Sequence, residues 1–301
     1  MTETITKTMT LNTLLGDYPT TMALKKGDVS SPLIDFKFAD VKVANTAFKR
    51  LVRDKEFDFS ELAIVTYLQA KSFGTPYILL PATVVGRGQH HTLAYNPENG
   101  PLRPQDLNGK RVGMRAYSVT TATWVRGILA RDYGIDLDSV KWVTFEDPHV
   151  AQYKDPPTAT RASAGKEIAR MLLDGELDAA VVGDKLPDPR LKTLIPDAEG
   201  VARAWAAKNG GVPINHMVVV RDTIVKSRPD VVKEIYRLLL ESKRAARLPT
   251  DGTPEDPVRF GIEPNRKALE TIIDICAEQK LIARRFTVDE LFEDTRRILG
   301  F

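Results

Sequence analysis

The chain has 301 residues, 43% apolar and 28% charged, with 43 Lys and Arg against 40 Asp and Glu for a formal net charge of +3. That length suits one large domain or two ordinary ones with a core that needs no staples, and so small and scattered a charge excess excludes a nucleic-acid footprint. The single cysteine, Cys276, excludes an internal disulfide and lies in a helical pattern as a buried, inert thiol.

The first residues, MTETITKTMTLNTLLGDYP, lack a basic region, a long apolar run and a small-residue cleavage site. They do not read as a secretory leader, and no apolar run approaches the ~18 residues of a membrane span, so the expected location is cytoplasmic. LNTLLGDY then reads as a strand ending in a Gly-Asp turn. In VKVANTAFKRLVRDKEFD the apolar positions Val41, Ala44, Phe48, Leu51 and Val52 keep a helical period. SELAIVTYLQAKSFG reads as a second helix, capped by Asp58 or Ser60 and closed by Gly74. PYILLPATVVG is the β-rich apolar run of a buried strand. VVGRGQHHTLAY follows, and then AYNPENGPLRPQDLNG, a polar segment rich in Pro, Gly and Asn that looks like a crossing into another unit.

That unit alternates strand and helix: KRVGM, VTTATWVRGILARDYG, VKWVTF, GKEIARMLLDG, LDAAVVG, AEGVARAWAAKNG. The rhythm predicts a doubly wound α/β sheet. GVPINHMVVVR is again a strand, and three amphipathic helices complete the chain. Two α/β lobes are expected, 1–95 with 214–301 and 96–213 between them. Ligand then binds in the cleft where the chain crosses.

Three of the four histidines, His90, His91 and His216, fall at the two proposed crossings, and the fourth, His149, at a strand end in FEDPHV. Arg87 beside the pair suits a carboxylate through its guanidinium fork, and a histidine suits proton transfer near neutral pH. Since neighbouring strand residues face opposite ways, only one of His90 and His91 is expected to face the cleft. A metal held by these histidines with Asp184 or Glu146 is disfavoured, for want of any HxH or HxxxH spacing. Ser118, Thr120 and Thr121 open a helix whose free N–H groups and dipole suit an anion, with ordinary capping as the plain alternative. Glu61 at another expected helix start is a candidate base or hydrogen-bond acceptor, and Asp184, Asp17 and Tyr18 follow strand ends where ligand contacts occur. The GxG of GRGQHH is no dinucleotide fingerprint, because no third Gly follows.

The segments EFDFSELAIVTYL, YSVTTATWVRGIL, GELDAAVV, VPINHMVVV and above all EPNRKALETI with ARRFTVDELF resemble the 4,5-dihydroxyphthalate decarboxylase family, from Gly16 to about Phe292. The resemblance implies a type 2 periplasmic-binding-protein-like fold, two lobes joined by two crossing strands. It also implies non-oxidative decarboxylation of a hydroxylated aromatic carboxylate without an organic cofactor, a divalent metal being the less favoured alternative. Matched to the family pattern are Arg87 with His91, Tyr117, Thr120, Trp124, His216, Glu263, Asn265 and Arg266. The chain departs from it at Gln89, His90 and Ala116, where substrate is expected, which implies either a different substrate, marked above all by His90, or a loss of catalysis. The expected roles are His216 or His91 as proton donor and Arg87 as carboxylate anchor. The expected partner is a small aromatic carboxylate, with neither nucleic acid nor membrane, and a homo-oligomer is compatible. The rival reading is a non-catalytic binding protein for such a ligand, a transporter component or a sensor.

Overall fold

In the computed structural model, which describes residues 7–253 and 255–301, the apolar runs sort into two sheets. The first lobe begins with β1 (Met9–Leu14), α1 (Met22–Lys26), β2 (Ile34–Phe38), β3 (Phe59–Ala63), α2 (Ile64–Ser72) and β4 (Tyr77–Gly86). The second holds β5 (Leu93–Tyr95), β6 (Arg111–Met114), α3 (Thr120–Tyr133), β7 (Lys141–Thr144), β8 (Ala159–Arg161), α4 (Ile168–Leu173), β9 (Ala179–Val181), β10 (Lys192–Thr193) and α5 (Ala198–Lys208). The chain returns through β11 (Ile214–Arg221) and ends in α6 (Asp222–Ser227), α7 (Pro229–Ala245), α8 (Ile262–Glu278) and α9 (Val288–Leu299).

Strand order is β2-β1-β3-β11-β4 in the first sheet and β10-β5-β9-β6-β7-β8 in the second. β1, β2 and β3 are parallel, and β11 runs antiparallel between β3 and β4. β6, β7, β8 and β9 are parallel, and β5 runs against β9. The α/β class, the two lobes and the central cleft are those the sequence predicts. No helix among the described residues is long and apolar enough to cross a membrane.

Four local expectations are corrected. SELA is not the start of a helix: Phe59–Ala63 is a strand buried along its whole length, hydrogen-bonded between β1 and β11, and tertiary pairing overrides its local pattern. The helix starts at Ile64 with Ala63 before it, so neither Asp58 nor Ser60 caps it. Asp58 instead accepts from the Asn12 amide at 2.9 Å. The helix expected across 41–58 is a 3-10 turn, Ala44–Ala47, followed by one π turn, Arg50–Asp54. Finally, Leu93–Tyr95 pairs with β9 and β10, so the chain changes sheets between Gly86 and Leu93 rather than after Tyr95.

The two crossings are bonded to each other. Gly86 pairs with Ile214, and the Arg87 amide donates to the Pro213 carbonyl at 3.0 Å. Gln89 Nε2 donates to the buried Asn215 Oδ1 at 2.8 Å, and Trp124 Nε1 of α3 donates to the Ile214 carbonyl at 2.8 Å. Gly86 is required here by close approach, since a Cβ would lie 2.0 Å from the Pro257 carbonyl oxygen. That oxygen cannot retreat easily. The neighbouring Asp256 is fully buried against Lys243 Nζ at 2.5 Å, and the same ammonium donates to the Val258 carbonyl at 2.6 Å. Elsewhere the lobes are joined by α3 and α8, where Gly127 admits Ile275 and Arg126 Nε donates to Gln279 Oε1 at 2.9 Å. Gly86→Ala is expected to lower stability by about 1–3 kcal/mol, the cost of overpacking a site that cannot relax; urea unfolding measures it, and an unchanged midpoint contradicts the packing described.

Candidate active site

Between the lobes lies a cavity of about 790 Å³, a size that suits a small ligand. Its lining comes from the ends of many elements, as open α/β sheets dictate. Tyr18 follows β1, Phe48 stands between the 3-10 and π turns, and Arg87 follows β4. Arg115 follows β6, Thr120 and Thr121 open α3, and Glu146 and His149 follow β7. Lys166 precedes α4, Asp184 follows β9, and Asn215 and His216 lie on β11.

His216 sits where β11 departs from regular pairing, with register shifts on both sides of it. Such irregularity re-aims side chains and recurs beside functional sites. Across β3, Ala63 is its partner and Glu61 the diagonal neighbour on the same face. His216 Nδ1 lies 3.6 Å from Glu61 Oε1, within ion-pair range but longer than a hydrogen bond. Glu61 is fully buried, and its Oε1 accepts the Tyr18 hydroxyl at 3.0 Å. Burial first, and then the Glu61 charge, push the Tyr18 phenol far above its ordinary pKa, so it stays protonated and donates. Gly16 makes the arrangement possible, because a Cβ there would meet the Tyr18 ring at 2.5 Å. Tyr18, Glu61 and His216 therefore form a short chain of polar groups along one wall.

Opposite charge is supplied at the rim. Arg87 ion-pairs with Asp184 and reaches Thr121 Oγ1 at 3.5 Å, and burial lowers its pKa from the usual guanidinium value. Arg115 Nη1 is 3.5 Å from Glu146 Oε2, and Lys166 holds Glu176 at 2.6 Å. Thr121 Oγ1 also accepts from Asn215 Nδ2 at 3.4 Å, which ties the first turn of α3 to β11. Thr120 Oγ1 accepts from the Val65 amide at 3.2 Å. A guanidinium, a second arginine and a helix N-terminus thus border one volume, a setting for carboxylates.

The four histidines do not converge as the sequence reading expects. His216 and His149 meet through Phe48, whose ring lies edge-on to both at centroid distances of 5.2 and 5.7 Å. His90 and His91 are on a 3-10 turn, His90–Thr92, so the alternation of a strand does not apply to them. His90 turns away from the cavity into the core beside Trp205 of α5, and burial pushes its pKa down to about 4. It is packing, not substrate contact. His91, the expected alternative proton donor, is also outside the cavity lining, with Nε2 3.3 Å from Asp184 Oδ1 at the rim.

Three further expected contacts lie outside the lining. Asp17 points to solvent and pairs with Lys25. Tyr117 is buried under the Arg126 guanidinium, 3.7 Å from its ring centroid, because that wholly buried cation takes the faces of Tyr117 and Trp142. Ser118 is buried beside it. Trp124 and Asn265 are framework: Asn265 is buried and bonds Thr83 and the Arg259 and Gly261 carbonyls, while Glu263 and Arg266 pair on the surface of α8. Among the described residues no group of three His, Cys, Asp or Glu is gathered as a metal site. Phe48, Asn45, Thr46, Lys166 and Asn215 line the cavity without having been singled out from the sequence. Only Asn215 carried a signal, its place next to His216 on the return strand.

No family model matches the chain. It is 29% identical over 250 residues, 78% of this chain and 75% of the relative, to a 4,5-dihydroxyphthalate decarboxylase of Comamonas testosteroni. It is 28% identical over 211 residues, 65% of this chain and 81% of the relative, to the 4,5-dihydroxyphthalate decarboxylase of Pseudomonas putida. Among solved structures, the alkanesulfonate-binding protein SsuA of Xanthomonas axonopodis pv. citri matches with a TM-score of 0.56 at 13% identity, covering 94% of this chain and 97% of that one. That likeness concerns the fold and agrees with the two sheets and the cleft. The chain is therefore similar in sequence to two 4,5-dihydroxyphthalate decarboxylases, and its fold is two-lobed and type 2 periplasmic-binding-protein-like.

Proposed function

We propose that the protein is a carboxy-lyase that removes CO2 from a hydroxylated aromatic carboxylate of the 4,5-dihydroxyphthalate class. The observation that carries this reading is His216, backed by the buried Glu61, in the same cavity as Arg87, Arg115 and the N-terminus of α3. The relatives named as decarboxylases support the reaction class.

In such a reaction the ring carbon bearing the carboxylate takes a proton, with electron push from a ring hydroxyl. The C–C bond then breaks, CO2 leaves, and the electron pair restores the aromatic ring. His216 is the donor in this scheme, and Glu61 stabilises the imidazolium between turnovers. Arg87 and the α3 N-terminus hold the carboxylate, and a carboxylate turned out of the ring plane is closest to CO2 in geometry. The lobes keep water from the dienone-like intermediate. The scheme takes no organic cofactor and sets the reaction in the cytoplasm. Asp184 has a distinct part: it pairs with Arg87 and competes with the substrate carboxylate for the guanidinium.

CO2 release from 4,5-dihydroxyphthalate and related aromatic diacids is the direct test. Saturable binding with no CO2 from any of them sinks the enzyme in favour of a binding protein. With the reaction in hand, His216→Ala is expected to lower kcat by about 10²–10⁴-fold, and Arg87→Ala chiefly to raise KM; unchanged kinetics in both would refute the assignments. Asp184→Asn is expected to lower KM by about two- to fivefold, the worth of a partly exposed ion pair. A raised KM would instead make Asp184 a substrate contact.

A further inference from the structure

His149 has no part in the scheme above, yet the fold invests heavily in it. Its segment follows β7 of the second sheet, but its ties run to the first lobe. Its backbone carbonyl accepts from Arg53 Nε at 2.9 Å, and the same guanidinium donates to the Pro148 carbonyl at 2.6 Å. Its Nδ1 shares a 2.8 Å hydrogen bond with Thr66 Oγ1 of α2, and the Phe48 ring meets it edge-on. The residue is 4% exposed and lines the cavity. With Nδ1 taken by Thr66, Nε2 is the nitrogen left over, and among the described residues it has no hydrogen-bond partner.

We propose that His149 reads a ring hydroxyl of the aromatic ligand, through a hydrogen bond at Nε2, and that Thr66 positions it for this. The proposal rests on the decarboxylase reading and deepens it, because it concerns which aromatic acids the cavity takes. A neutral imidazole whose Nδ1 donates to Thr66 has an acceptor at Nε2, which takes the proton of a phenolic hydroxyl and finds none on a carboxylate. His149 stays neutral across the working range: burial, and then the charges of Arg115, Lys49, His216 and Arg53 that face it, push its pKa down to about 3. Phe48 sets the spacing, since its ring separates this imidazole from that of His216. A flat ligand ring that reaches both imidazoles past Phe48 places hydroxyl recognition at one and proton delivery at the other. A site built to bond a hydroxyl rejects the analogue lacking it far better than an apolar pocket rejects an added one.

The test is calorimetric titration of the whole protein with 4,5-dihydroxyphthalate and with phthalate, which has both carboxylates and no hydroxyl. The wild type is expected to prefer the hydroxylated acid. His149→Phe is expected to reduce that preference on the order of 10- to 100-fold, weakening the hydroxylated acid far more than phthalate. Thr66→Val, which keeps the volume of α2, is expected to lose part of the preference, and His149→Gln to retain part of it; these two read the ratio should His149→Phe fail to fold. Equal weakening of both ligands, or no change in the ratio, overturns the proposal. CO2 release measured on the same wild-type sample separates the two claims. Selective binding that depends on His149 but yields no CO2 sinks the decarboxylase reading alone. A wild type that binds neither acid sinks both.

Discussion

Everything in the cleft depends on the bond between the two chain crossings. Arg87 leaves β4 at the point where its own amide is fixed to Pro213, and His216 enters β11 two residues after Ile214 is fixed to Gly86 and Trp124. Arg87 and His216 are 129 positions apart in sequence, yet one patch of backbone sets their relative position. Gln89 and Asn215 reinforce it with a buried amide pair, and Asn215 extends it to the first turn of α3. The glycine at 86 is the cost of bringing three segments, 86, 213 and 257, to one place.

Polarity is then distributed by depth. At the rim the cations Arg87, Arg115 and Lys166 are each held by an acid that is more exposed than the cation or nearly so. Such pairs are weak and exchangeable, which suits a ligand that must take the acid's place. Deeper in, the groups are few and fixed: Glu61 without exposure, Tyr18 locked as a donor, His149 neutral on Thr66. Fixed dipoles and a buried carboxylate in a dry wall interact strongly because little solvent reorganises around them.

The lobes, the order of strands and helices in the second unit and the place of the cleft were legible in the sequence, because each rests on local periodicity. So were Arg87, Tyr18, Thr120, Thr121, Asp184 and His216 as cavity residues, since strand ends in an α/β sheet face the ligand. What failed was what only pairing decides. Ser60 and Glu61 read as a helix start because nothing local announces that β11, more than 150 residues later, will bond along that segment. His90 was expected to mark the substrate from its place in the family pattern, and nothing local announces that a 3-10 turn carries it into the core beside Trp205. Tyr117 was misplaced because the demand on it comes from Arg126, a buried cation that rests on its ring and on Gln279. Phe48 carried no chemical signal at all, and its importance lies in standing between two imidazoles.

The position of β11 also has a consequence for how the chain comes into being. β3 and β4 are not neighbours; the strand that joins them is made last of the three, after the entire second lobe. During synthesis the first sheet therefore carries a slot one strand wide, with two unpaired backbone edges facing it, and unpaired edges invite misassociation. The slot closes only when residues 214–221 emerge, and the same event brings His216 to Glu61. Closure of the first sheet and the meeting of His216 with Glu61 are therefore one step, and the rest of the cavity lining is already made when it happens.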